Sequence, residues 1–433
     1  MKRVLIISYY WPPAGGGGVM RWLKMSKYLP GWDWQPVICT PENPDPSVLD
    51  ESLLREVPPD AEILKVPIWE PYDLYRKLTG KPKTTKFKAG HISEASKGSW
   101  KDKLAVFIRG NFLIPDPRVF WVKPAVRFLK AYLKEHPVDL IVSTGPPHSM
   151  HLVALKLKKS FPAIPWLADF RDPWTDIDFY HQLRLTWLAD FIHHRLEKKV
   201  LTRADVVTVV SPDIKRTTEK RCGRTVHVVY NGYDPEDFEN IDPMDDRYFI
   251  ISHFGAFNHD RNPSALWKAL SELAAEIPGF KEVLKLRLVG QTDSFIINEL
   301  GQAGLSGQLE IIPHVNHKEG LKFLGQSAVL LLPLNDAPNA RGILPGKMFE
   351  YLALGRTILA IGPKGSDCEE IIRQTGAGFY GNFGDKEGLK TSMVKLFTDW
   401  QTREMRTISR DIEAFSRQNL AREIIQLGFQ EKE

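Results

Sequence analysis

The chain contains 433 residues, of which 43% are hydrophobic and 26% charged, and its formal net charge is +5. These values are typical of a globular protein and exclude disorder, a coiled coil or a collagen-like repeat as a description of the whole chain. The charge is too small to indicate nucleic acid as a partner, and the three scattered cysteines exclude a disulfide scaffold or a cysteine-rich zinc site.

The N-terminal segment resembles a secretion signal only superficially. Its apolar run, Val4–Ser8, is short, and the four glycines Gly15–Gly18 stand where a small-residue cleavage site would lie. No run in the chain reaches the roughly 18 apolar residues that a membrane helix needs. We therefore expect a cytoplasmic protein that starts at its mature N-terminus.

The first half of the chain alternates between short apolar runs and helical patterns. The runs predicted as strands are Val4–Ser8, Pro36–Thr40, Asp139–Thr144, Trp166–Phe170, Asp205–Val210 and Val226–Tyr230. One helix is predicted directly after the glycine run, and further helices over Lys123–Glu135 and Leu183–Leu201. Buried strands that alternate with helices predict a parallel sheet with helices on both faces.

The same alternation restarts after the acidic, aperiodic segment Tyr233–Arg247, which we interpret as a linker. Strands are predicted at Phe249–Gly255, Leu284–Gly290, Leu309–Val315, Val329–Leu334 and Thr357–Ile361, and helices at Pro263–Ile277, Asp385–Trp400 and Arg403–Gln426. The predicted fold is α/β, with two doubly wound, Rossmann-like domains over residues 1–235 and 248–433. Such sheets bind ligands at the carboxyl ends of their strands, so two facing sheets predict a site in the cleft between the domains.

One basic stretch interrupts this pattern. Arg76–Lys103 contains nine Lys or Arg residues and two acids, and several aromatic residues follow it up to Trp121. The stretch is long for a loop in a globular domain. It is either a solvated loop beside a core helix or a surface, over residues 76–121, that contacts an anionic membrane.

The glycine run after the first strand is the first candidate binding element. Without side chains, Gly16 and Gly17 allow the backbone to approach a ligand, and the following helix directs its free N–H groups to the same place. A phosphate or a sugar hydroxyl would suit this loop. The spacing matches neither a dinucleotide fingerprint nor a P-loop, and a merely flexible loop remains the alternative.

The second candidate is the segment from Leu344 to Leu352, which reads LPGKMFEYL. A helix is predicted to start at Pro345–Gly346 and to end at Gly355, and Lys347 and Glu350 share one face of it. A cation in the first helical turn is disfavoured by the helix dipole unless an anion binds there. Glu350, one turn further on, could accept hydrogen bonds from a vicinal diol such as that of ribose. The alternative is a surface Lys–Glu pair.

Three further groups of polar residues follow predicted strands. Asp169, Arg171 and Asp172 end one strand and His148 follows another, where we predict catalytic residues, although bracing or structural hydrogen bonds are the alternatives. Arg261, before a helix in the second half, is a natural ligand for a diphosphate, with a surface arginine as the alternative. The histidines show no metal-ligand spacing, so we expect neither a metal site nor another bound cofactor.

Taken together, the glycine run, DFRDPW, the segment VVYNGYD and the segment PGKMFEYLALGRTILA resemble the GT-B glycosyltransferases. The nearest group is the retaining family 4, of the kind that builds bacterial surface polysaccharides. The resemblance implies a nucleotide-sugar donor held mainly by the C-terminal domain and a glycan or lipid-linked acceptor. It also implies that the C-terminal helices, about Arg410–Leu427, cross back to the first domain.

The resemblance assigns roles residue by residue. Glu350 matches the second glutamate of the paired-glutamate motif and would bind the ribose, while Lys347 and Arg261 would hold the diphosphate. The first glutamate would fall at Gly342, so the contact with the donor sugar would come from Asn339 or from the backbone near Gly342. A UDP-sugar 2-epimerase on the same fold and a non-catalytic sugar-nucleotide binding protein are the alternative functions.

Overall fold

A computed structural model of the chain describes residues 1–46, 48–71, 100–313, 315–405 and 410–430. Its internal contacts divide the chain into two units. Unit 1 comprises Met1–Tyr230 together with Arg417–Glu433, and unit 2 comprises Asn231–Ser416. Of the surface predicted over residues 76–121, residues 76–99 lie outside the described residues.

Unit 1 is built from seven strands and seven helices among the described residues. The strands are β1 (Lys2–Ile7), β2 (Trp34–Pro41), β3 (Glu62–Val66), β4 (Leu140–Gly145), β5 (Trp166–Phe170), β6 (Val206–Val209) and β7 (His227–Val228). The helices before the linker are α1 (Gly17–Tyr28), α2 (Trp100–Phe112), α3 (Val119–Glu135), α4 (Ser149–Ser160), α5 (Trp187–Arg203) and α6 (Pro212–Cys222). The seventh helix comes from the end of the chain.

The strands of unit 1 form one parallel sheet in the order β3-β2-β1-β4-β5-β6-β7. The interior strand β1 pairs with β2 on one side, Leu5 opposite Val37, and with β4 on the other, Ile6 opposite Val142. Both faces of this strand are buried in hydrophobic clusters, as expected when helices cover a parallel sheet from two sides. The strand order reverses between β1 and β4, which makes their carboxyl ends the expected ligand crevice.

Unit 2 repeats the architecture with six strands and seven helices in its described part. The strands are β8 (Phe249–Phe254), β9 (Leu284–Val289), β10 (Leu309–Ile312), β11 (Val329–Pro333), β12 (Thr357–Gly362) and β13 (Gly378–Asn382). The helices are α7 (Ser264–Glu276), α8 (Phe280–Val283), α9 (Ser294–Gln302), α10 (His317–Gly325), α11 (Gly346–Leu354), α12 (Asp367–Thr375) and α13 (Lys386–Gln401). The sheet is parallel in the order β10-β9-β8-β11-β12-β13, so its crevice lies at the ends of β8 and β11.

The last helix, α14 (Arg417–Gln430), belongs to unit 1. It packs against α1, and Leu420 and Ile424 are buried in the same hydrophobic cluster as Trp22 and Leu23. The predicted helix Arg403–Gln426 is therefore wrong as a single element. The first residues of the predicted helix come after the end of α13, and residues 406–409 lie outside the described part. A short 3-10 turn at Ile412–Phe415 then precedes α14.

The α/β prediction, with two doubly wound, Rossmann-like parts, is confirmed by the two parallel sheets. Two edge strands, β3 and β13, were missed, because their exposed and partly exposed positions weaken the apolar signal. The predicted helix at Leu183–Leu201 starts later, at Trp187, because Thr186 accepts a capping hydrogen bond from the backbone N–H of Ala189. In the described part of the chain, no helix combines the length and hydropathy needed to cross a bilayer.

Candidate functional site

The crevice of unit 2 is built around a glycine at the end of β8. Gly255 has φ +104, a conformation that favours glycine, and a Cβ there would lie 3.2 Å from Nζ of Lys347. A side chain at this position would therefore compete for space with the lysine ammonium. The sequence places the smallest residue where the cation on α11 approaches the strand end.

Lys347 lies in the first turn of α11 and reaches back to β8. Its Nζ donates to the carbonyl oxygen of Phe254 at 2.6 Å and to Nε2 of His253 at 3.3 Å. An ammonium group has three N–H bonds, so one remains for a ligand oxygen, since no other described residue accepts from it. Burial, helped by the nearby charge of Arg261, lowers the pKa of Lys347 to about 7, while Glu350 acts in the opposite direction.

His253 fixes the second contact of this lysine. Its Nδ1 lies 3.1 Å from the carbonyl oxygen of Leu331, and a carbonyl can only accept, so Nδ1 carries the proton and Nε2 is an acceptor. Burial and the charge of Lys347 lower the pKa of His253 well below its usual range. The neutral ring therefore holds the ammonium of Lys347 without adding a charge.

Glu350 has a different partner from Lys347. Its Oε1 lies 3.0 Å from Nε2 of His317, the first residue of α10, and its side chain is 12% exposed. The next residue, Tyr351, accepts a hydrogen bond from the backbone N–H of Phe254, which attaches α11 to the end of β8. The two predicted donor ligands are thus held apart along one helix face by separate partners.

Arg261 and Asn339 complete the polar groups at this end of the sheet. Nε of Arg261 donates to Oδ1 of Asn335, which follows β11, and Nη1 donates to the carbonyl oxygen of Ala256. Oδ1 of Asn339 is buried without a hydrogen-bond partner among the described residues. Gly342, where the resemblance expected a glutamate, is buried in the short turn Ala340–Gly342. Asn339 therefore presents the unsatisfied acceptor in this turn.

The crevice of unit 1 begins with the glycine loop after β1. Gly16 has φ +89 and immediately precedes α1, and Gly17 is the first residue of that helix. Both glycines are exposed, a Cβ at either would meet no described atom within 4 Å, and no side chain caps the helix. The backbone of this loop is therefore accessible to a ligand.

Arg171, at the end of β5, ties this loop to the loop after β4. Its Nη1 donates to the carbonyl oxygen of Gly18 at 2.5 Å, and Nη2 donates to the carbonyl oxygen of Pro146. Nε of Arg171 is buried and makes no hydrogen bond to a described residue. The guanidinium thus braces two loops that meet at the reversal of strand order, and this arrangement favours a positioning role.

His148 lies at the start of α4, beside the end of β4. The ring is 7% exposed and stacks on Trp174, with centroids 4.8 Å apart and planes within 7°. Neither ring nitrogen meets hydrogen-bond geometry with a described residue. Burial, and secondarily the neighbouring His151 and Arg171, lower the pKa of His148 well below its usual range, so the ring is neutral.

Asp169 is enclosed in the core of unit 1. Its carboxylate accepts from Arg21 at 3.0 and 2.8 Å, from Trp22 Nε1, and from the hydroxyls of Thr144 and Thr208. Burial alone would raise the pKa of Asp169, but the charge and hydrogen bonds of Arg21 lower it. With five donors on a fully buried group, the arrangement favours a structural role. Asp172 is exposed by contrast.

The structure brings together some of the predicted residues and adds others. Lys347, Glu350 and Arg261 meet at the crevice of unit 2, and Gly16, Gly17, Arg171 and His148 at that of unit 1. Sequence reasoning missed His253 and His317, the partners of Lys347 and Glu350. A histidine at the end of an apolar strand is the signal that could have found His253, whereas nothing local singles out His317.

Comparison with protein families gives two adjacent matches. Residues 92–237 match Glycosyltransferase Family 4, and residues 234–409 match Glycosyl transferases group 1. The second match contains the crevice of unit 2, with Lys347 and Glu350. Comparison with curated proteins by sequence gave no match.

Solved structures share the architecture over nearly the whole chain. Sucrose-phosphate synthase from Thermosynechococcus elongatus is 15% identical, with 99% of both chains covered and a TM-score of 0.64. An α,α-trehalose-phosphate synthase (UDP-forming) from Burkholderia vietnamiensis is 12% identical, with 99% of both chains covered and a TM-score of 0.63. A candidate UDP-N-acetylglucosamine 2-epimerase from Listeria monocytogenes is 10% identical, with 100% of this chain and 98% of that chain covered and a TM-score of 0.57.

These structural likenesses, at such low identity, establish the fold, and the family matches establish the class of enzyme. The two matches follow one another along the chain and together span residues 92–409. The chain is therefore a glycosyltransferase with the GT-B fold.

Proposed function

We propose that this protein transfers a sugar from a nucleotide-sugar donor to a glycan or lipid-linked acceptor, with retention of configuration, in the synthesis of a cell-surface polysaccharide. The observation that carries the proposal is the set of groups at the end of β8, where the ammonium of Lys347 lies beside Gly255 and the carboxylate of Glu350 lies one helical turn away. A cation and a carboxylate at this spacing suit a diphosphate and the attached ribose.

The chemistry follows from where charge develops. The bond between the sugar C1 and the diphosphate oxygen breaks, its electron pair leaves with the nucleoside diphosphate, and the acceptor oxygen forms the new bond to C1. The leaving phosphate takes the acceptor proton, so no protein nucleophile is required. Lys347, Arg261 and the N-terminus of α11 stabilise the departing charge.

Two sets of residues are assigned to the sugar and the acceptor. Asn339, whose Oδ1 has no hydrogen-bond partner among the described residues, is the proposed contact to a hydroxyl of the donor sugar. It would replace the first glutamate of the family motif, because Gly342 stands at that position. His148, Asp172 and the backbone of Gly16 and Gly17 are proposed to contact the reacting sugars. Asp169 and Arg171, which were predicted to be catalytic, are proposed to position these loops.

We propose that the enzyme needs no divalent metal or other cofactor, because the basic residues Lys347 and Arg261 are placed to neutralise the diphosphate. Turnover with a nucleotide-sugar in excess EDTA tests this. Undiminished turnover would support it, and loss of turnover that Mn²⁺ restores would contradict it.

Donor identity is tested by a thermal-shift screen of UDP, GDP, dTDP and CMP sugars. A ligand at about 100 times its dissociation constant should stabilise the protein by about 2.7 kcal/mol. The matched variant is Glu350→Gln, in which the stabilisation by the true donor should fall to about half of the wild-type value while the unliganded melting temperature stays the same. A screen in which no nucleotide-sugar shifts the wild-type protein would contradict the proposal.

Product analysis separates this function from the alternatives. Transfer releases nucleoside diphosphate in proportion to glycosylated acceptor, and the anomeric coupling constant of the product reports retention. Formation of an epimerised nucleotide-sugar without an acceptor would instead identify a UDP-sugar 2-epimerase, and binding without turnover would identify a non-catalytic protein.

We further propose that the protein works in the cytoplasm at the inner face of the membrane, where residues 76–121 contact anionic lipids. The net basic charge of Arg76–Lys103 supports this contact, since each basic residue near an anionic surface contributes about 1 kcal/mol at low salt. Vesicle sedimentation of the full chain and of a deletion of Lys81–Lys103 tests it. Equal binding to neutral and anionic vesicles, or binding that the deletion leaves unchanged, would contradict it.

A further inference from the structure

Two helices of unit 1 expose large apolar side chains. On α2 the exposed apolar residues recur at every fourth position, namely Trp100, Leu104, Ile108 and Phe112. Because four residues make about one helical turn, these side chains form a single stripe. The first turn of α5 adds Trp187, which is 80% exposed, together with Leu188 and Phe191. Exposed aromatic and leucine side chains in such a group are unusual unless something binds there.

Asn111 joins the two parts of this surface. Its Oδ1 accepts from the backbone N–H of Thr186 at 2.7 Å and from the Thr186 hydroxyl at 2.9 Å. Its Nδ2 donates to the carbonyl oxygens of Arg184 at 3.2 Å and Phe107 at 2.8 Å. Thr186 is the N-cap of α5. The amide therefore fixes the end of α2, with Phe112, beside the start of α5, with Trp187.

The charge on these helices is positive. Together α2 and α5 carry seven Lys or Arg residues and three acids, a formal net charge of +4. Of the acids, Glu197 is buried and paired with Arg221, so it does not reduce the positive charge at the surface. Lys103, Arg195 and Lys198 are exposed. An apolar stripe with Trp and Phe, bordered by basic residues, is typical of a segment that lies in the interface of an anionic membrane.

The same surface is connected to the candidate site of unit 1. Nε2 of His193 on α5 lies 3.4 Å from the carbonyl oxygen of Gly110 on α2, and its Nδ1 accepts from Nε1 of Trp174 at 3.1 Å. Trp174 in turn stacks on His148. One ring therefore separates His148 from the helices that carry the exposed stripe.

We infer that the α2–α5 surface, defined by the seven exposed apolar residues above and joined by Asn111, inserts into the interface of an anionic bilayer and presents a lipid-linked acceptor to the crevice that holds His148. The inference rests on the proposed function and deepens it, because it assigns membrane contact to α5 as well as to residues 76–121. A protein surface inserted in the bilayer beside this crevice would meet an acceptor that is anchored in the same bilayer, which favours a lipid-linked acceptor.

The test uses the full chain and vesicles of phosphatidylcholine with and without phosphatidylglycerol. Trp187→Ser combined with Phe191→Ser changes only exposed side chains of α5 and should weaken binding to the mixed vesicles at least about tenfold. Val394→Ser, which changes an exposed apolar residue of α13 in unit 2, is the matched control and should bind as wild type. Asn111→Ala changes no exposed apolar residue but should also weaken binding, because the two parts of the surface separate.

The outcomes are distinguishable from failure of the proposed function. Stabilisation by the nucleotide-sugar should be the same in wild type and in the Trp187 and Phe191 variant, since that site lies in unit 2. Unchanged vesicle binding by that variant would overturn the inference. The inference would also be overturned if the wild-type protein is a dimer that does not bind vesicles and the variant is a monomer. The surface would then contact a second copy of the chain. If no nucleotide-sugar stabilises the wild-type protein, that result would instead contradict the proposed function.

Discussion

Nε2 of His317 lies 3.0 Å from Oε1 of Glu350, so a residue at the start of α10 orients the carboxylate on α11. A carboxylate held in this way loses little freedom when it accepts hydrogen bonds from a vicinal diol. The pair also explains how a glutamate can stay in place next to the lysine without forming an ion pair with it.

Glu350→Gln keeps the size of the side chain but removes charge-assisted hydrogen bonds, which contribute about 1.5–3 kcal/mol. We expect binding of nucleotide and of nucleotide-sugar to weaken alike, by roughly tenfold or more, so KM rises more than kcat falls. His317→Ala should produce a smaller loss of the same kind. Isothermal titration calorimetry checks both variants, and unchanged dissociation constants would show that the ribose binds elsewhere.

Lys347→Ala should lower kcat, because the ammonium interacts most strongly with the charge that forms as the donor bond breaks. The expected loss of transition-state stabilisation is about 2–4 kcal/mol, as for one oxyanion donor. Lys281→Ala, which removes an exposed lysine of α8, is the matched control in steady-state kinetics. If Lys347→Ala is folded by circular dichroism and retains wild-type kcat and KM, the donor site has been misplaced.

Donor binding should weaken as the pH rises through about 7. The pKa of Lys347 is lowered to about 7 in the unliganded protein, so the ammonium loses its proton above that pH, whereas a bound diphosphate would favour the charged form. Binding is then accompanied by proton uptake above pH 7. Calorimetry of nucleotide-sugar binding between pH 6 and 9 measures the dissociation constant and the proton uptake. Lys347→Met should bind the nucleotide-sugar more weakly, and its dissociation constant should no longer change in this way with pH.

Asp169→Asn should destabilise unit 1, because it leaves Arg21 buried beside a neutral group. Breaking a buried pair of this kind costs about 3–5 kcal/mol. The pKa of the Asp169 carboxyl is lower in the folded protein than in the unfolded chain. The pair therefore stabilises the protein fully at pH values above the pKa of this carboxyl in the unfolded chain. This stabilisation is lost as the pH falls through the pKa of the carboxyl in the folded protein. Urea denaturation measures the change, with the exposed Asp172→Asn as control, and equal stabilities would argue against a structural role for Asp169.

Local patterns predicted the parts of the site that lie on single elements. Gly16 before α1 and the segment from Gly346 to Gly355 have sequence signals that depend only on neighbouring residues, and both helices form where these signals place them. The role of Asp169 could not be predicted in this way, since Arg21 and Thr208 reach it from distant parts of the chain. His317 was missed for the same reason, because only the packing of α10 beside α11 makes it a partner of Glu350.

The position of α14 bears on how the protein is made. The helix enters the hydrophobic cluster of unit 1 beside α1, although 186 residues of unit 2 separate it from the preceding part of that unit. During translation, the nascent unit 1 therefore exposes the apolar surface that Leu420 and Ile424 later cover until unit 2 and α14 have left the ribosome. A chaperone that protects this surface during synthesis would act for as long as it takes to make unit 2.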